Sequence, residues 1–584
     1  MIYVLADNII SPLADTSEGN CQSILSGFSS LCRYEHLWHL PHPVTASLFT
    51  PDQQKSQVVQ GMTRFESLAI RSIRQAVSQT DIDIASSRVI FILSTTKGNV
   101  ESLASHPSPL ISSYPIAHSL HRIANHIGIT TRPIAVCNAC ISGVSALMLA
   151  LRLLESQQYD YAIVCGADVQ SPFTISGFQS LQALSAEACR PFDIERIGLN
   201  LGEAAATMVL ASSATPEASR QTNPLWSITC SAVRNDAFHI SSPSRDGEGA
   251  CLALSTVLPY AEVDDIAFIN AHGTATMYND QMESIAIQRS GLGHIPVSSL
   301  KGYLGHTLGA AGLLETILSM HAIDHHQIPA TRGFSEIGVS GKISITTTTE
   351  ATQKQSFIKM ISGFGGGNAV LVATHRLFHL QFDNPFHLQF DNFHFSLRTV
   401  HSVSITPTQA STNGVQLPCT ATGPSLLTQL YKQYVGNYPK FYKMDALSRL
   451  GFTATELLLM SDSPHRDYPP ESTAIILFNH SSSVVTDLQY QETIQDAANY
   501  FPSPSTFVYT LPNIVTAEIA IRHGFRGETS FYILGERDDN TIGSIIEASF
   551  ADPATRRMIS GWIDYQDDAH FDANLFLLEK QLET

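Results

Sequence analysis

The sequence predicts a layered α/β protein with an additional half-sized α/β unit at its C-terminal end. Three observations carry this. Residues 1 to about 375 alternate short apolar strands with helices rich in small residues. The strands are apolar almost throughout, the pattern of sheets covered on both faces. From about residue 415 the chain replays, in order, segments of its own first third. At 584 residues there is length for three or four units, at about 150 residues each.

The strands are expected at RVIFILS (88–94), YAIVCGADV (161–169), IAFINAH (266–272), FIKMISGF (357–364) and AVLVATH (369–375). Helices are expected after Cys140 (SGVSALMLALRLLES) and after His306 (LGAAGLLETILSMHAI), where small residues permit close packing. Residues 376–414 read as a linker containing a short tandem repeat at 378–392, FHLQFDNP followed by FHLQFDN. Two copies this short cannot build a solenoid. Beyond them, FYKMDALSRLGFTATELLL (441–459) echoes GMTRFESLAIRSIRQAV (61–77), and TAIILFNHSSSVVTD (473–487) echoes RVIFILSTTKGNVES (88–102). LPNIVTAEIAIRHGF (511–525) parallels LHRIANHIGI (120–129), and SIIEASFADPATRRMISGWIDY (544–565) parallels 145–169. Duplication of one half-unit is the simplest account.

Composition narrows the function classes. Lys+Arg total 34 against 52 Asp+Glu, a net charge of −18, which argues against nucleic acid as a partner. An acidic carrier protein can still dock on a local basic patch. The nine cysteines are odd in number and scattered, which is no disulfide framework and suits a reducing compartment. The N-terminus MIYVLADNII lacks the basic and apolar regions of a signal peptide. No apolar run reaches about 18 residues. The expectation is a cytoplasmic protein without a membrane span.

The sharpest motif is VCNACISG (136–143): a strand delivers Cys140 to a tight turn before a small-residue helix. Backbone N–H groups and the helix dipole there favour thiolate, the nucleophilic form. Cys137-x-x-Cys140 alone also fits a redox pair, half a zinc site or an inert buried pair. Two further motifs weigh on the choice. His272 follows a buried strand in NAHGTATMYND, and Lys301 and His306 precede a small-residue helix in SLKGYLGHTLGAAG. A fourth element, ISGFGGGNAV (361–370), reads as strand, glycine loop, strand, in which a backbone N–H can face a ligand.

Taken together with DNIISPLADTSEGNCQSILSG (7–27) and RPFDIERIGLNLGEAAA (190–206), these motifs resemble the β-ketoacyl-acyl carrier protein synthases, elongating condensing enzymes of the thiolase superfamily. The resemblance covers about 375 residues with every catalytic motif in family order. It implies a thiolase-like α/β/α/β/α fold built of two similar halves, 1–225 and 226–375, with 415–584 as a degenerate half-synthase domain. It implies that Cys140 takes the acyl chain, that His272 and His306 assist decarboxylation of the malonyl extender, and that Lys301 tunes the site with Glu315 as its support. The amides of Cys140 and Phe364 would form the oxyanion hole, with Phe364 also the gating aromatic. Thr274 and Thr276 would bind the pantetheine arm. No metal or redox cofactor is implied; phosphopantetheine arrives on the acyl carrier protein.

Three features depart from the family pattern. Ile141 stands where a small residue is usual and is expected in or beside the acyl channel. Leu199 replaces an aromatic at the pocket rim. The segment SLHRIANHIGI is short, so the dimer-facing loop is expected to differ. The C-terminal copy has no cysteine in its equivalent turn, FYILGERDDN (531–540), and ends before any counterpart of the histidines. It should be catalytically silent, its apolar face covered by the synthase unit or another chain through Ile545, Ile546 and Phe550. The functional expectation is a condensing enzyme of fatty acid, polyketide or aryl polyene synthesis, acting as a homodimer or with a second synthase-like subunit. The competing reading is a non-catalytic chain-length-factor-like or scaffolding subunit.

Overall fold

The computed structural model describes all residues except 105–113, 214, 216–224, 377–394, 461, 463–467 and 583–584, together with a few further side chains. The tandem repeat lies outside the described residues.

Three sheets share a plan of five principal strands. The first half comprises β1 (Ile2–Ile10), α1 (Arg64–Val77), β2 (Val89–Ser94), α2 (Ile116–Ile127), β3 (Ile134–Val136), α3 (Ser142–Glu155), β4 (Tyr161–Asp168), α4 (Pro172–Ser180) and β5 (Ala204–Ser212). Its strand order is β1-β5-β4-β2-β3, with two antiparallel pairings followed by two parallel ones. The second half comprises β6 (Leu225–Asn235), β7 (Ile266–Asn270), α5 (Met277–Arg289), β8 (Pro296–Ser298), α6 (Ala311–Asp324), β9 (Ser356–Gly363) and β10 (Gly367–Arg376). It runs β6-β10-β9-β7-β8 in the same sense.

The C-terminal unit comprises β11 (Phe395–Thr406), α7 (Ala446–Leu459), β12 (Thr473–Asn479), α8 (Pro504–Tyr509), α9 (Ile514–His523), β13 (Thr529–Leu534), α10 (Asp539–Ser549), β14 (Arg557–Asp567) and β15 (His570–Leu582). Its order, β11-β15-β14-β12-β13, repeats the pattern a third time. The first strand of this unit falls within the stretch read from sequence as linker. Residues 395–406 pair with β15, and Gln409–Thr412 folds back on them. Among the described side chains of this strand only Val403 and Ile405 are buried apolar residues, so its amphipathic signal is faint.

Helices α3 and α6 form the layer between the two synthase sheets and are buried along nearly their whole length. They cross at paired glycines. A Cβ on Gly143 would lie 2.6 Å from the Leu313 nitrogen, and one on Gly312 would lie 2.8 Å from the Val144 nitrogen. Only glycine permits backbones this close.

The C-terminal unit joins the first half edge to edge. β13 pairs antiparallel with β3, Tyr532 opposite Val136 and Leu534 opposite Ile134. The Phe531 N–H continues the seam by donating to Asn138 Oδ1 at 2.7 Å. Above the seam α10 packs against α3, and Ile545, Ile546 and Phe550 sink into the core that α3 occupies. The apolar face of the third unit is thus covered by the synthase unit, and the exposed edge of β3, a liability in any sheet, is paired. Buried ion pairs cross the junction: Arg152–Glu528 at 2.8 Å, Arg234–Asp552 at 2.6 Å and Lys97–Asp487 at 3.3 Å. No described helix is long and apolar enough to cross a membrane.

Candidate active site

Cys140 lies in a one-turn 3₁₀ segment, Ala139–Ile141, between β3 and α3. The turn is sharp because Ala139 adopts a positive φ of 48°, a conformation that costs a non-glycine residue energy and is held by its surroundings. Ser142 supplies that support: its hydroxyl accepts from the Asn138 N–H at 2.8 Å and donates to the Ala139 carbonyl at 2.6 Å. The N-cap residue of α3 is Ile141, which offers no capping side chain.

Three loops bring the remaining groups to this turn. His272 follows β7, and two acids of α5 hold its loop. Glu283 accepts the N–H groups of His272 (2.6 Å) and Gly273 (2.9 Å), and Asp280 those of Thr274 (2.9 Å) and Ala275 (3.1 Å). Burial pushes the Glu283 carboxyl up to about 7 and that of Asp280 up to about 6 despite these bonds. His306 follows the short helix that begins at Lys301. Phe364 sits in the turn between β9 and β10, where Gly365 and Gly366 take φ of 91° and 71°.

The sulfur of Cys140 and one nitrogen from each of His272 and His306 lie within 4.8 Å of one another. The two rings stand edge to face, centroids 5.0 Å apart. His306 Nδ1 accepts the Leu308 N–H at 3.2 Å, so the proton of the neutral ring is on Nε2. That Nε2–H is buried with no protein partner, as is Nδ1 of His272. Burial, with Lys301 and then His306 or Lys359 adding their charges, holds both imidazoles well below their usual pKa. They are neutral at pH 7. The three donors are metal-ligand types, but two ammonium groups behind the rings oppose a further cation.

Those ammonium groups form a triad. Glu315 accepts from Lys301 Nζ at 2.6 Å on one oxygen and from Lys359 Nζ on the other. Burial would raise the Glu315 carboxyl, but the two lysines outweigh it and the net direction is down. Burial brings Lys359 down to about 8. Lys359 also donates to Asn270 Oδ1 at 2.6 Å. Sequence reasoning missed it, although one lysine within the apolar strand FIKMISGF was the available signal.

The thiol departs from expectation. Burial pushes Cys140 up to about 12, against the opposing pull of Lys301 and of the N–H groups of Cys140 and Phe364 directed at the sulfur. Desolvation outweighs the helix start, so the resting group is a thiol and a base must take its proton. Cys137 points elsewhere, its sulfur donating to the Thr96 carbonyl at 3.6 Å. Ile141 lies beside the cavity, against Gly363 and Gly367 of its wall. It packs toward the β9–β10 hairpin, where a Cβ on Gly367 would meet its side chain at 2.8 Å.

A cavity of about 410 Å³ opens from Cys140 to the surface. Thr274 and Thr276, hydrogen-bonded to each other at 2.9 Å, line it together with Asn368 and Phe364, and Leu199 stands on its wall. Phe364 stacks on Phe178 at 5.9 Å. The C-terminal unit reaches this turn: Asn513 Nδ2 donates to the Phe364 carbonyl at 2.9 Å. Asn513 occupies the N-cap of α9, but its side chain makes no cap bond.

Repeated sheets around two buried central helices, with Cys140 at the start of one, define a thiolase-like condensing-enzyme architecture. Residues 48–215 match the family model for the β-ketoacyl synthase N-terminal domain, and residues 225–335 that for the C-terminal domain. Residues 48–335 thus carry the two domains of a β-ketoacyl synthase, in order. The chain is 34% identical over 252 residues to the tetracenomycin polyketide synthase ketoacyl synthase alpha subunit of Streptomyces glaucescens, an alignment spanning 41% of this chain and 58% of that one. It is 26% identical over 406 residues to 3-oxoacyl-[acyl-carrier-protein] synthase 2 of Vibrio cholerae, spanning 64% of this chain and 98% of that one. Relatives at a third identity are thus matched over about three fifths of their length. A ketosynthase solved in complex with its chain length factor, from Xenorhabdus doucetiae, superposes with a TM-score of 0.54 at 27% identity, over 64% of this chain and 98% of that one. A keto synthase–chain length factor structure, PfaC, shares the fold over 99% of this chain and 78% of its own, with a TM-score of 0.74 at 15% identity.

Proposed function

We propose that this protein is a β-ketoacyl synthase that joins an acyl group held on Cys140 to a malonyl unit by decarboxylative Claisen condensation, both groups arriving on a carrier protein's phosphopantetheine arm. The observation that carries the reading is the buried Nε2–H of His306, unpartnered beside the Cys140 thiol and a second neutral imidazole.

The chemistry follows from these groups. Thioester exchange forms the Cys140 S–C bond, breaks the carrier's C–S bond and leaves the thiol proton on the released pantetheine sulfur. His272, whose tautomer no protein bond to Nδ1 constrains, relays that proton. The N–H groups of Cys140 and Phe364 stabilise the oxyanion. Loss of carbon dioxide from the malonyl thioester then leaves an enolate, whose oxygen accepts from the imidazole N–H groups. The enolate carbon attacks the acyl-Cys140 carbonyl and the thiolate departs. Lys301, Glu315 and Lys359 keep the imidazoles neutral and hold the charge balance behind them. Thr274 and Thr276 bind the arm. These steps call on no metal or redox cofactor.

The C-terminal unit is read as a silent companion carried in cis. It pairs with β3, so a second copy or a synthase-like partner would have to dock elsewhere. The full set of reacting groups weighs against a non-catalytic role for the whole chain. Intact-mass measurement after incubation with acyl thioesters, paired with release of carbon dioxide from malonyl-carrier, tests the reading. An adduct that disappears in Cys140→Ala is expected; no adduct on the wild type and no decarboxylation would overturn it.

A further inference from the structure

Asp168 is a buried carboxylate that the steps above do not use. It ends β4, is 1% exposed, and collects donors from two other segments. From the turn after β2 it accepts the Thr95 hydroxyl at 2.7 Å, the Thr96 N–H and hydroxyl at 3.0 Å each, and the Lys97 N–H at 3.4 Å. From the turn that leads His306 into α6 it accepts the Gly309 N–H at 2.7 Å. A Cβ on Gly309 would lie 2.7 Å from the Thr95 Cα and 2.9 Å from Asp168 Oδ2, so the three segments meet here without slack.

The Gly309 bond bears on the tautomer of His306. Leu308, the residue before Gly309, takes a positive φ of 53°, which a non-glycine residue keeps only when its surroundings impose it. In that conformation its N–H donates to His306 Nδ1 at 3.2 Å, and the ring proton is left on Nε2. The bond to Asp168 fixes the peptide on the far side of Leu308. A carboxylate near a helix start also stabilises in its own right, and the silent unit separates the two roles. There Asp564 of β14 accepts the N–H groups of His480 and Ser481 at 3.2 and 2.9 Å, and the Ser481 hydroxyl at 3.1 Å, all from the turn after β12. The link from strand end to turn is the same in both units. Asp168 adds to it the bond to the turn behind His306.

We infer that Asp168 is a positioning residue for His306: by holding Gly309 it keeps the Leu308 turn in the conformation that places the imidazole proton on Nε2, the buried and unpartnered donor beside Cys140. The inference rests on the synthase reading above. Removing Asp168 has a second consequence, of opposite sign. Its charge is among those that push the Cys140 thiol up, so its loss eases thiolate formation. General loosening of the site would slow both half-reactions, whereas a misplaced His306 slows decarboxylation alone.

The test uses full-length Asp168→Ala, Asp168→Asn and Asp564→Ala proteins. Carbon dioxide release from malonyl-carrier and intact-mass acylation of Cys140 are timed in each. A nitrogen NMR spectrum of histidine-labelled protein reads the tautomer of His306, identified by the resonances that His306→Ala removes. In Asp168→Ala decarboxylation should slow about tenfold, the worth of one hydrogen bond to a charged group. Cys140 should acylate at least as fast as in wild type, and Nδ1-protonated His306 should appear. Asp168→Asn keeps an oxygen for Gly309, so it should move the same way and less, and it serves alone if Asp168→Ala does not fold. Asp564→Ala should leave both rates and the tautomer as in wild type. Equal losses in the two half-reactions, an unmoved tautomer, or decarboxylation slowed as much by Asp564→Ala would overturn the inference. A wild type that releases no carbon dioxide would instead sink the synthase reading, and this inference with it.

Discussion

Two turns occupy the same place in the repeated topology and differ in what their helices do with their first amides. After β3, the chain runs Cys137-Asn138-Ala139-Cys140-Ile141 into α3; after β13, it runs Gly535-Glu536-Arg537-Asp538 into α10. Asp538 caps α10 in the ordinary way, its carboxylate accepting the Thr541 N–H at 3.1 Å, and Arg132 pairs with Asp538 and Glu536 at 3.1 and 3.3 Å. Helix α3 has no side-chain cap, and its turn is buried between the second half and the C-terminal unit. A carboxylate cap already takes a first-turn N–H and sets a negative charge there; a start left uncapped is free to serve a ligand. The duplication kept the scaffold, and chemistry stayed where the second half brings histidines and the Phe364 amide.

The largest effect should separate the two turns outright. Cys140→Ala is expected to remove acylation and condensation completely, while Cys137→Ala keeps both. Arg537→Cys, which places a thiol in the silent turn, should remain unlabelled in the intact-mass assay. Labelling there would mean that a helix start suffices without the surrounding groups.

Next in size are the imidazoles, which only the synthase unit possesses. His306→Ala should slow malonyl decarboxylation by about 10²–10³, the usual loss for one donor to a developing oxyanion. Acyl transfer to Cys140 should fall far less. Equal losses in stopped-flow acylation and carbon dioxide release would break the division of labour.

A smaller effect measures what the silent unit lends to the active one. Asn513→Leu removes the donor to the Phe364 carbonyl and leaves that turn held by the synthase unit. Acylation is expected to slow by about tenfold, the equivalent of one net hydrogen bond, with decarboxylation by the imidazoles little changed. Identical rates would show that Asn513 positions nothing.

The smallest effect is a change of pH profile. Lys359 gives up its proton near pH 8, so decarboxylation should carry an alkaline limb there that Lys359→Met lacks. Removing that cation also favours the protonated imidazoles, so the acid limb of the same profile should move to higher pH. A profile unchanged on both sides would place Lys359 outside the electrostatics of the site.

Much of this is legible in the sequence because the information is local. Apolar runs set the strands; β7 and β9 begin and end within a residue or two of where composition places them. Cys140, His272, Lys301 and His306 stand in short motifs whose neighbours make the turns that carry them. The third unit was readable through its echoes of the first, although its opening strand was hidden because only Val403 and Ile405 mark it. Tertiary structure alone decided the rest. Ile141 turns toward the β9–β10 hairpin because Gly367 leaves room there. Lys359 joins Glu315 from a different strand, and Asn513 meets the site across the β3–β13 seam, a contact between residues 149 apart along the chain. The state of the thiol is the clearest case. From sequence a helix start favours thiolate, yet burial wins, because desolvation is set by everything packed around the sulfur and no local pattern of residues records that.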